Sequence, residues 1–296
     1  FISLRFVDKA EFTIKHTKKM KETVLVSGGA GYIGTHTTVE LIEAGYDVVI
    51  VDNLSNSEMA AVEGVRKITG VNVPFEQVDC TDKEALGRVF DQYKFNSIIH
   101  FAASKAVGES VEKPLLYYRN NLQSLITILE LMRDKGVRNI VFSSSCTVYG
   151  QPDVLPVTEQ TPRQPATSPY GNTKQICEDI LRDTVHAYPE LFGIALRYFN
   201  PIGAHPSALI GELPKGVPMN LVPFITQTAA GIRECLSVFG DDYDTPDGSA
   251  IRDYIDVNDL ARAHVVAVDR MGNFASEAIA RMEADGIRVA HYDLRF

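Results

Sequence analysis

Tyr170 and Lys174 stand four residues apart in a stretch of helical spacing, so a phenol and an ammonium share one face. A phenol with its ordinary pKa of about 10 is a poor base at neutral pH, and a neighbouring cation favours its ionised form. Upstream, Phe142-Ser-Ser-Ser-Cys-Thr-Val-Tyr-Gly150 is a hydroxyl-rich run leaving an apolar strand pattern. From it Ser145 can hydrogen-bond a substrate hydroxyl or the phenol. The three groups together read as machinery for moving a proton on or off an alcohol. The bland reading, a half-buried helix tyrosine after Pro169 and a lysine on a solvated face, leaves the serine run unexplained.

A second constellation reads as a binding turn. Val24-Leu-Val-Ser-Gly-Gly-Ala-Gly-Tyr-Ile-Gly34 takes a buried-strand pattern straight into three glycines at three-residue spacing. Gly28, Gly31 and Gly34 sit where a dinucleotide-binding turn needs backbone without Cβ: a tight bend, close approach of a pyrophosphate, and close packing of the following helix. The N–H groups and positive dipole end of that helix face the phosphates. The next strand pattern ends on Asp52, placed to accept hydrogen bonds from the adenosine ribose and to repel a 2′-phosphate, so NAD is expected rather than NADP. The alternative is that Asp52 opens the turn Asp52-Asn-Leu-Ser-Asn.

These groups need a scaffold, and the pattern around them supplies one. Apolar, β-branched runs at residues 23–26, 48–51, 71–78, 97–101 and 139–142 alternate with stretches of helical spacing. That alternation predicts an α/β fold with a Rossmann-type doubly wound parallel sheet covered on both faces. A long helix is expected over residues 106–135, with Leu122, Leu125, Ile126 and Leu129 on one stripe and a stop at Gly136. A further helix is expected over residues 168–188 and a strand over 193–198. After Asn200 the prolines 201, 206, 214, 218 and 223 interrupt the chain, as in a smaller, truncated substrate-binding region over the carboxyl ends of the strands. The division is therefore 1–19 as a leader, 20–198 as the NAD-binding domain, 199–270 as a partial substrate region and 271–296 as an atypical tail.

Composition narrows the partners. With 296 residues, 45% hydrophobic and 23% charged, the chain is of ordinary globular make-up, and its net charge of −9 argues against nucleic acid. Cys80, Cys146, Cys177 and Cys235 are widely spaced in or beside apolar runs, which suits buried thiols in a reducing compartment. No metal site, secretory signal or membrane span is expected, and the location read from this is cytoplasmic.

Several segments taken in order, Ser27-Gly-Gly-Ala-Gly-Tyr-Ile-Gly, Asp52-Asn-Leu, His100-Phe-Ala-Ala-Ser-Lys-Ala-Val-Gly-Glu-Ser, Tyr117-Tyr-Arg-Asn-Asn, Ser143-Ser-Ser-Cys-Thr-Val-Tyr-Gly, Tyr170-Gly-Asn-Thr-Lys and Arg197-Tyr-Phe-Asn-Pro-Ile-Gly-Ala-His, resemble the UDP-glucose 4-epimerases among the extended short-chain dehydrogenase/reductases. The resemblance covers about residues 20–270. It implies tightly held NAD, with Tyr32, Ile33, Asn53, Asp79, Cys80, Phe101, Ala102, Lys105 and Asn120 joining Gly28, Gly31, Gly34, Asp52, Tyr170 and Lys174 around it. It gives a UDP-sugar to Ser145, Phe199, Asn200, Asn220, Leu221, Arg252 and Tyr254. The guanidinium fork of Arg252 and the paired donors and acceptors of the asparagines suit a diphosphate and a sugar. Singly, Arg252 beside Asp253 also reads as a surface pair and Asn220 as a helix cap. The resemblance further implies inversion at C4 through a 4-keto sugar, with Tyr170 taking the 4-hydroxyl proton, and a homodimer packed through the long helices after the fourth and fifth strands.

Two alternatives stand beside this. A nucleotide-sugar 4,6-dehydratase or decarboxylase would share the fold, but the dehydratases carry an Asp-Glu pair where this chain reads Ser145-Cys146-Thr147. A catalytically silent NAD-binding fragment follows if the substrate region is incomplete, because the resemblance stops near Arg270. Residues 272–296 instead resemble part of the last domain of a 1-deoxyxylulose-5-phosphate synthase, with a helix expected at 275–284 and a strand at 287–292.

Overall fold

The structure, a computed structural model, describes residues 21–238 and 240–284, with side chains as far as Met271. The leader and the strand expected at 287–292 lie outside the described residues.

Six strands, β1 (Thr23–Ser27), β2 (Asp47–Val51), β3 (Phe75–Glu76), β4 (Ser97–His100), β5 (Asn139–Ser143) and β6 (Phe192–Leu196), form one sheet in the order β3-β2-β1-β4-β5-β6. Every pairing is parallel. The central strands are apolar throughout because helices cover both faces. Val24 and Val26 point into the layer of α1 (Tyr32–Glu43), α2 (Met59–Thr69) and α8 (Val257–Ala284). Leu25, between them, points into the layer of α3 (Lys83–Gln92), α5 (Pro114–Lys135) and α6 (Pro169–Ala187), the two-residue alternation of a pleated strand. The helix expected at 275–284 is the backbone of the last part of α8.

Two expectations need correction. The strand expected over 71–78 is only Phe75–Glu76, because Val73 N bonds Val71 O at 2.9 Å in a tight turn and Pro74 has no N–H to give a ladder. The helix expected over 106–135 is two helices, α4 (Val107–Glu112) and α5, broken at Lys113, whose φ of −128° and ψ of 56° leave the helical region. Pro114 causes the break: its ring pushes the preceding residue out of the α conformation, and it then serves as the first residue of α5. The expected stripe on α5 is buried at Leu125 and Leu129, while Leu122 and Ile126 are half-buried.

The remaining elements are the two-stranded parallel sheet of β7 (Asn200–Ile202) and β8 (Tyr254–Asp256), and α7 (Leu221–Ala229). They belong to a region lying across the carboxyl ends of β1 and β2. The Tyr32 hydroxyl donates to Gly203 O at 2.6 Å, and Lys215 Nζ donates to Leu54 O at 2.8 Å. A Cβ on Gly64 of α2 would fall 2.6 Å from Leu209 O, so only glycine allows this close approach.

Candidate active site

The glycine turn is built as its spacing demands. Gly28 has a φ of 70°, and a Cβ there would stand 2.7 Å from Ala102 N. A Cβ on Gly34 would stand 2.4 Å from Gly28 O, so the first turn of α1 lies directly on the bend. At Gly31 the one close atom is Gly28 O at 3.1 Å, which leaves the outward side of the turn open beside the N-terminus of α1. That openness at a helix N-terminus suits a phosphate.

Of the two jobs weighed for Asp52 in the sequence, the turn is visible in its bonds. Its Oδ1 accepts from Leu54 N at 2.8 Å and Ser57 Oγ at 2.7 Å, which closes the following turn. Its Oδ2 accepts from Ala30 N at 3.1 Å, which ties that turn to the glycines. A carboxylate has about four acceptor positions, so one remains on Oδ2 for a ribose hydroxyl. Beside it, Asn53 donates to Asp79 at 2.8 Å. Burial raises the Asp79 carboxyl, but hydrogen bonds from Thr81 and Asn53 outweigh it and hold the group below its ordinary range. Burial pushes the Cys80 thiol up to about 12, which keeps it protonated and inert. Tyr32 and Ile33 open α1, and Phe101 and Ala102 follow β4 opposite Gly28.

The serine run, α6 and the end of β6 meet at the same end of the sheet. Ser168 caps α6 by accepting from Gly171 N at 3.1 Å, which presents Tyr170 in the first turn and Lys174 one turn on. The Ser145 hydroxyl stands near enough to the Tyr170 phenol to favour its ionised form. Lys174, 4% exposed, donates from Nζ to Ser143 O at 2.7 Å and lies 4.9 Å from the Phe142 ring centre and 5.8 Å from that of Tyr170. Burial pushes the Tyr170 phenol up to about 12, the Ser145 hydroxyl offsetting part of the rise, and lowers Lys174 to about 8. The ammonium is thus held at the phenol's ring, and without ligand it does not make the phenol acidic.

The other named residues fall into two groups around this centre. Lys105, on the exposed loop after β4, pairs with Glu212 at 3.3 Å, and Asn220 at the start of α7 donates to the same Glu212 oxygen. Glu212, overlooked in the sequence within a Pro- and Gly-rich stretch, thereby joins one residue assigned to the cofactor and one assigned to the sugar. Asn220 occupies the N-cap of α7 without a side-chain capping bond, and Leu221 follows it, half exposed. Asn200 lies beside Tyr254 in the β7–β8 register and donates to Asp253 O at 2.9 Å. Phe199 is half-buried between β6 and β7. Arg252 is exposed and donates to Ile251 O at 2.8 Å; its charge and that of Asp253 reach Cys146, next to Ser145. Asn120 donates to Ser104 Oγ at 3.1 Å, but its neighbour Asn121 is the buried pin, accepting from Ser104 N at 2.8 Å and donating to Thr173 Oγ1 at 3.0 Å. Nothing in the sequence separates the two asparagines; burial does. Among the described residues no cluster of His, Cys, Asp or Glu could hold a metal ion, and no helix is long and apolar enough to cross a membrane.

A glycine cradle with an acceptor beyond it and a Tyr–Lys–Ser group at the same sheet end is the geometry of a dinucleotide-dependent enzyme acting on an alcohol. The model of the NAD dependent epimerase/dehydratase family matches residues 24–279. The chain belongs to that family. Within it, the chain is 53% identical to a UDP-glucose 4-epimerase of Dictyostelium discoideum over 250 residues, which are 84% of this chain and 72% of the relative. The human UDP-glucose 4-epimerase is 51% identical over 258 residues, 85% of this chain and 74% of the relative. Among solved structures of the family, the UDP-glucose 4-epimerase of Bifidobacterium longum in complex with NAD+ and UDP superposes with a TM-score of 0.82 at 52% identity, covering 84% of this chain and 74% of that one. That of Stenotrophomonas maltophila, with NAD and a formylated UDP-arabinopyranose, gives 0.80 at 49% identity over 84% of this chain and 74% of that one.

Proposed function

We propose that this chain interconverts UDP-glucose and UDP-galactose by inverting the sugar C4 through a 4-keto sugar, with NAD as cofactor. The observation that carries the reading is the meeting of Ser145, Tyr170 and Lys174 beside the glycine cradle, in a chain half identical to UDP-glucose 4-epimerases over most of its length. NAD, when bound, supplies reversible acceptance of the hydride from C4.

The chain's own residues move the proton and hold the ligands. Tyr170 takes the 4-hydroxyl proton, and Ser145, beside the phenol, lies on that proton's path. Lys174 supports the phenolate and the nicotinamide ribose. The cradle of Gly28, Gly31 and Gly34 receives the pyrophosphate, Asp52 the adenosine ribose, and Tyr32, Ile33, Asn53, Asp79, Cys80, Phe101, Ala102, Lys105 and Asn120 line the rest. Phe199, Asn200, Asn220, Leu221, Arg252 and Tyr254 take the UDP-sugar; a diphosphate anchored there leaves the keto sugar free to present its other face, and the proton returns from Tyr170. Water elimination, as in a 4,6-dehydratase, would need a carboxylate in the serine run. That run has none, and the nearest buried carboxylate, Glu178, is taken up by Ser144 and Arg197.

Purified chain assayed with UDP-galactose, with nucleotide released by denaturation of the same sample, tests the reading. We expect turnover with co-purified NAD, and loss of at least about a thousand-fold in Tyr170→Phe with NAD still bound. Bound NAD with no wild-type turnover would overturn the epimerase and leave an NAD-binding fragment; a 4-keto-6-deoxy product would make it a dehydratase.

We infer also a cytoplasmic homodimer packed through α5 and α6. All four cysteines are free, which supports a reducing compartment, although only Cys80 and Cys177 are buried, Cys146 being half-buried and Cys235 exposed; Leu115, 78% exposed at the start of α5, supports an apolar contact there. Sedimentation should give twice the chain mass, and a monomer at micromolar concentration would overturn the pairing.

A further inference from the structure

One helical turn beyond Lys174 on α6 stands a carboxylate that the proposed reaction does not use. Glu178 is 2% exposed and both its oxygens are engaged: Oε1 accepts from Ser144 Oγ at 2.6 Å and Arg197 Nε at 2.9 Å, and Oε2 from Arg197 Nη2 at 2.7 Å. Arg163 Nη1 stands 3.8 Å from Oε2, and the Arg197 guanidinium lies 4.9 Å over the Tyr149 ring. Taking a carboxylate and a guanidinium out of water costs several kcal/mol per ion, and an apolar pair of the same volume would stabilise the fold at least as well. Stability alone therefore does not account for the pair.

Its partners show what it holds. α6 carries Tyr170 and Lys174; Ser144 immediately precedes Ser145; Arg197 immediately precedes Tyr198 and Phe199. One carboxylate thus grips the three elements whose ends make the catalytic centre. Further bonds run between the same elements: Ser144 N to Leu196 O at 3.0 Å, Cys146 N to Tyr198 O at 3.0 Å, and a short hydroxyl pair between Ser143 and Tyr198. Side chains alternate along an extended run, and Ser145 is extended, with φ of −157° and ψ of 152°. Anchoring Ser144 therefore fixes the backbone from which the Ser145 hydroxyl projects.

We propose that Glu178 is a positioning residue for the reaction: by holding Ser144 and Arg197 it sets where the Ser145 hydroxyl and the Tyr198–Phe199 step stand against Tyr170. The proposal rests on the roles given to Ser145 and Tyr170 under the proposed function. It is tested in the NAD-loaded full chain with Glu178→Gln, Ser144→Ala and the double variant. Glutamine keeps the shape but turns a donor toward Arg197 or Ser144; alanine removes one hydrogen bond and leaves the ion pair intact, so it folds where the first variant fails.

Two readouts are needed. The first is the split between kcat and KM for UDP-galactose. We expect Glu178→Gln to lower kcat about ten-fold or more with KM within two-fold, Ser144→Ala to lower kcat by a smaller factor, and the double variant to be no worse than Glu178→Gln alone. The second needs no turnover: the tyrosinate absorbance of Tyr170, taken as each protein minus its Tyr170→Phe counterpart. Glu178→Gln removes a charge that also acts on Lys174, so the midpoint is read in Ser144→Ala, which leaves every formal charge and the titratable groups around the phenol, Lys174, Cys146, Tyr117 and Tyr198, as they are; a shift of half a pH unit or more there reports displacement of Ser145. An unchanged midpoint in folded Ser144→Ala, or a loss lying wholly in KM, overturns the positioning role. A wild type without turnover overturns the epimerase reading instead, and the midpoint still decides the role of Glu178.

Discussion

Tyr170 and Lys174 are each buried against their own charge, the phenol raised to about 12 and the ammonium lowered to about 8. The base is thus poised only when further positive charge arrives, which couples proton removal to an occupied cofactor site. The lysine shift has a consequence that can be measured without substrate. Folding takes its pKa from 10.5 to about 8, so across that window the unfolded chain binds more protons and stability rises with pH. Lys174→Met lacks this contribution. Between about pH 8 and 10 the difference in unfolding free energy should move in favour of the wild type by about 1 kcal/mol per pH unit, read by urea unfolding. A flat difference would mean that the lysine keeps its ordinary pKa.

The glycine turn shows how elements hold such residues. Alanine at a helix interior position gains about 1 kcal/mol over glycine in propensity. At Gly34 the added Cβ would meet Gly28 O at 2.4 Å and Gly29 Cα at 2.7 Å, backbone atoms that cannot swing aside. The clash wins, because overpacking costs about 1–3 kcal/mol and displaces the first turn of α1 from the bend. Gly34→Ala should therefore lower the thermal midpoint and weaken NAD binding together. A variant with unchanged affinity would show that the turn does not hold the pyrophosphate. A break of local origin, at Pro114, likewise divides α4 from α5.

Across the molecule, buried histidines make the fold sensitive to acid: burial lowers His36, His100 and His264, the last two most. Burial lowers His100 to about 3 and His264 to about 4, and both are fully enclosed by the sheet and its covering helices. Their folded values lie below the unfolded 6.5, so the unfolded chain binds more protons as pH falls below 6.5, and stability is lost there. Two such groups give a slope of about 2–3 kcal/mol per pH unit between roughly pH 6 and 4. His264→Phe, which keeps the aromatic contact with Phe101 at 4.7 Å, should lower the slope by about 1 kcal/mol per pH unit in denaturant titrations at each pH. An unchanged slope would place the acid sensitivity elsewhere.

By itself the sequence determined the alternation of strands and helices, the glycine turn with Asp52 beyond it, and the Tyr170–Lys174 face, because each depends on spacing along a few neighbouring residues. The same local signals misjudged the third strand and the break at Lys113, where one proline outweighed a long apolar pattern. Only the tertiary structure decided that Lys174 turns to Ser143 O, that Glu212 joins Lys105 to Asn220, and that Glu178 holds Ser144 and Arg197. Those bonds join residues from 8 to 107 positions apart, most of them brought together by the parallel sheet, and a single buried carboxylate looks in sequence like any solvated one.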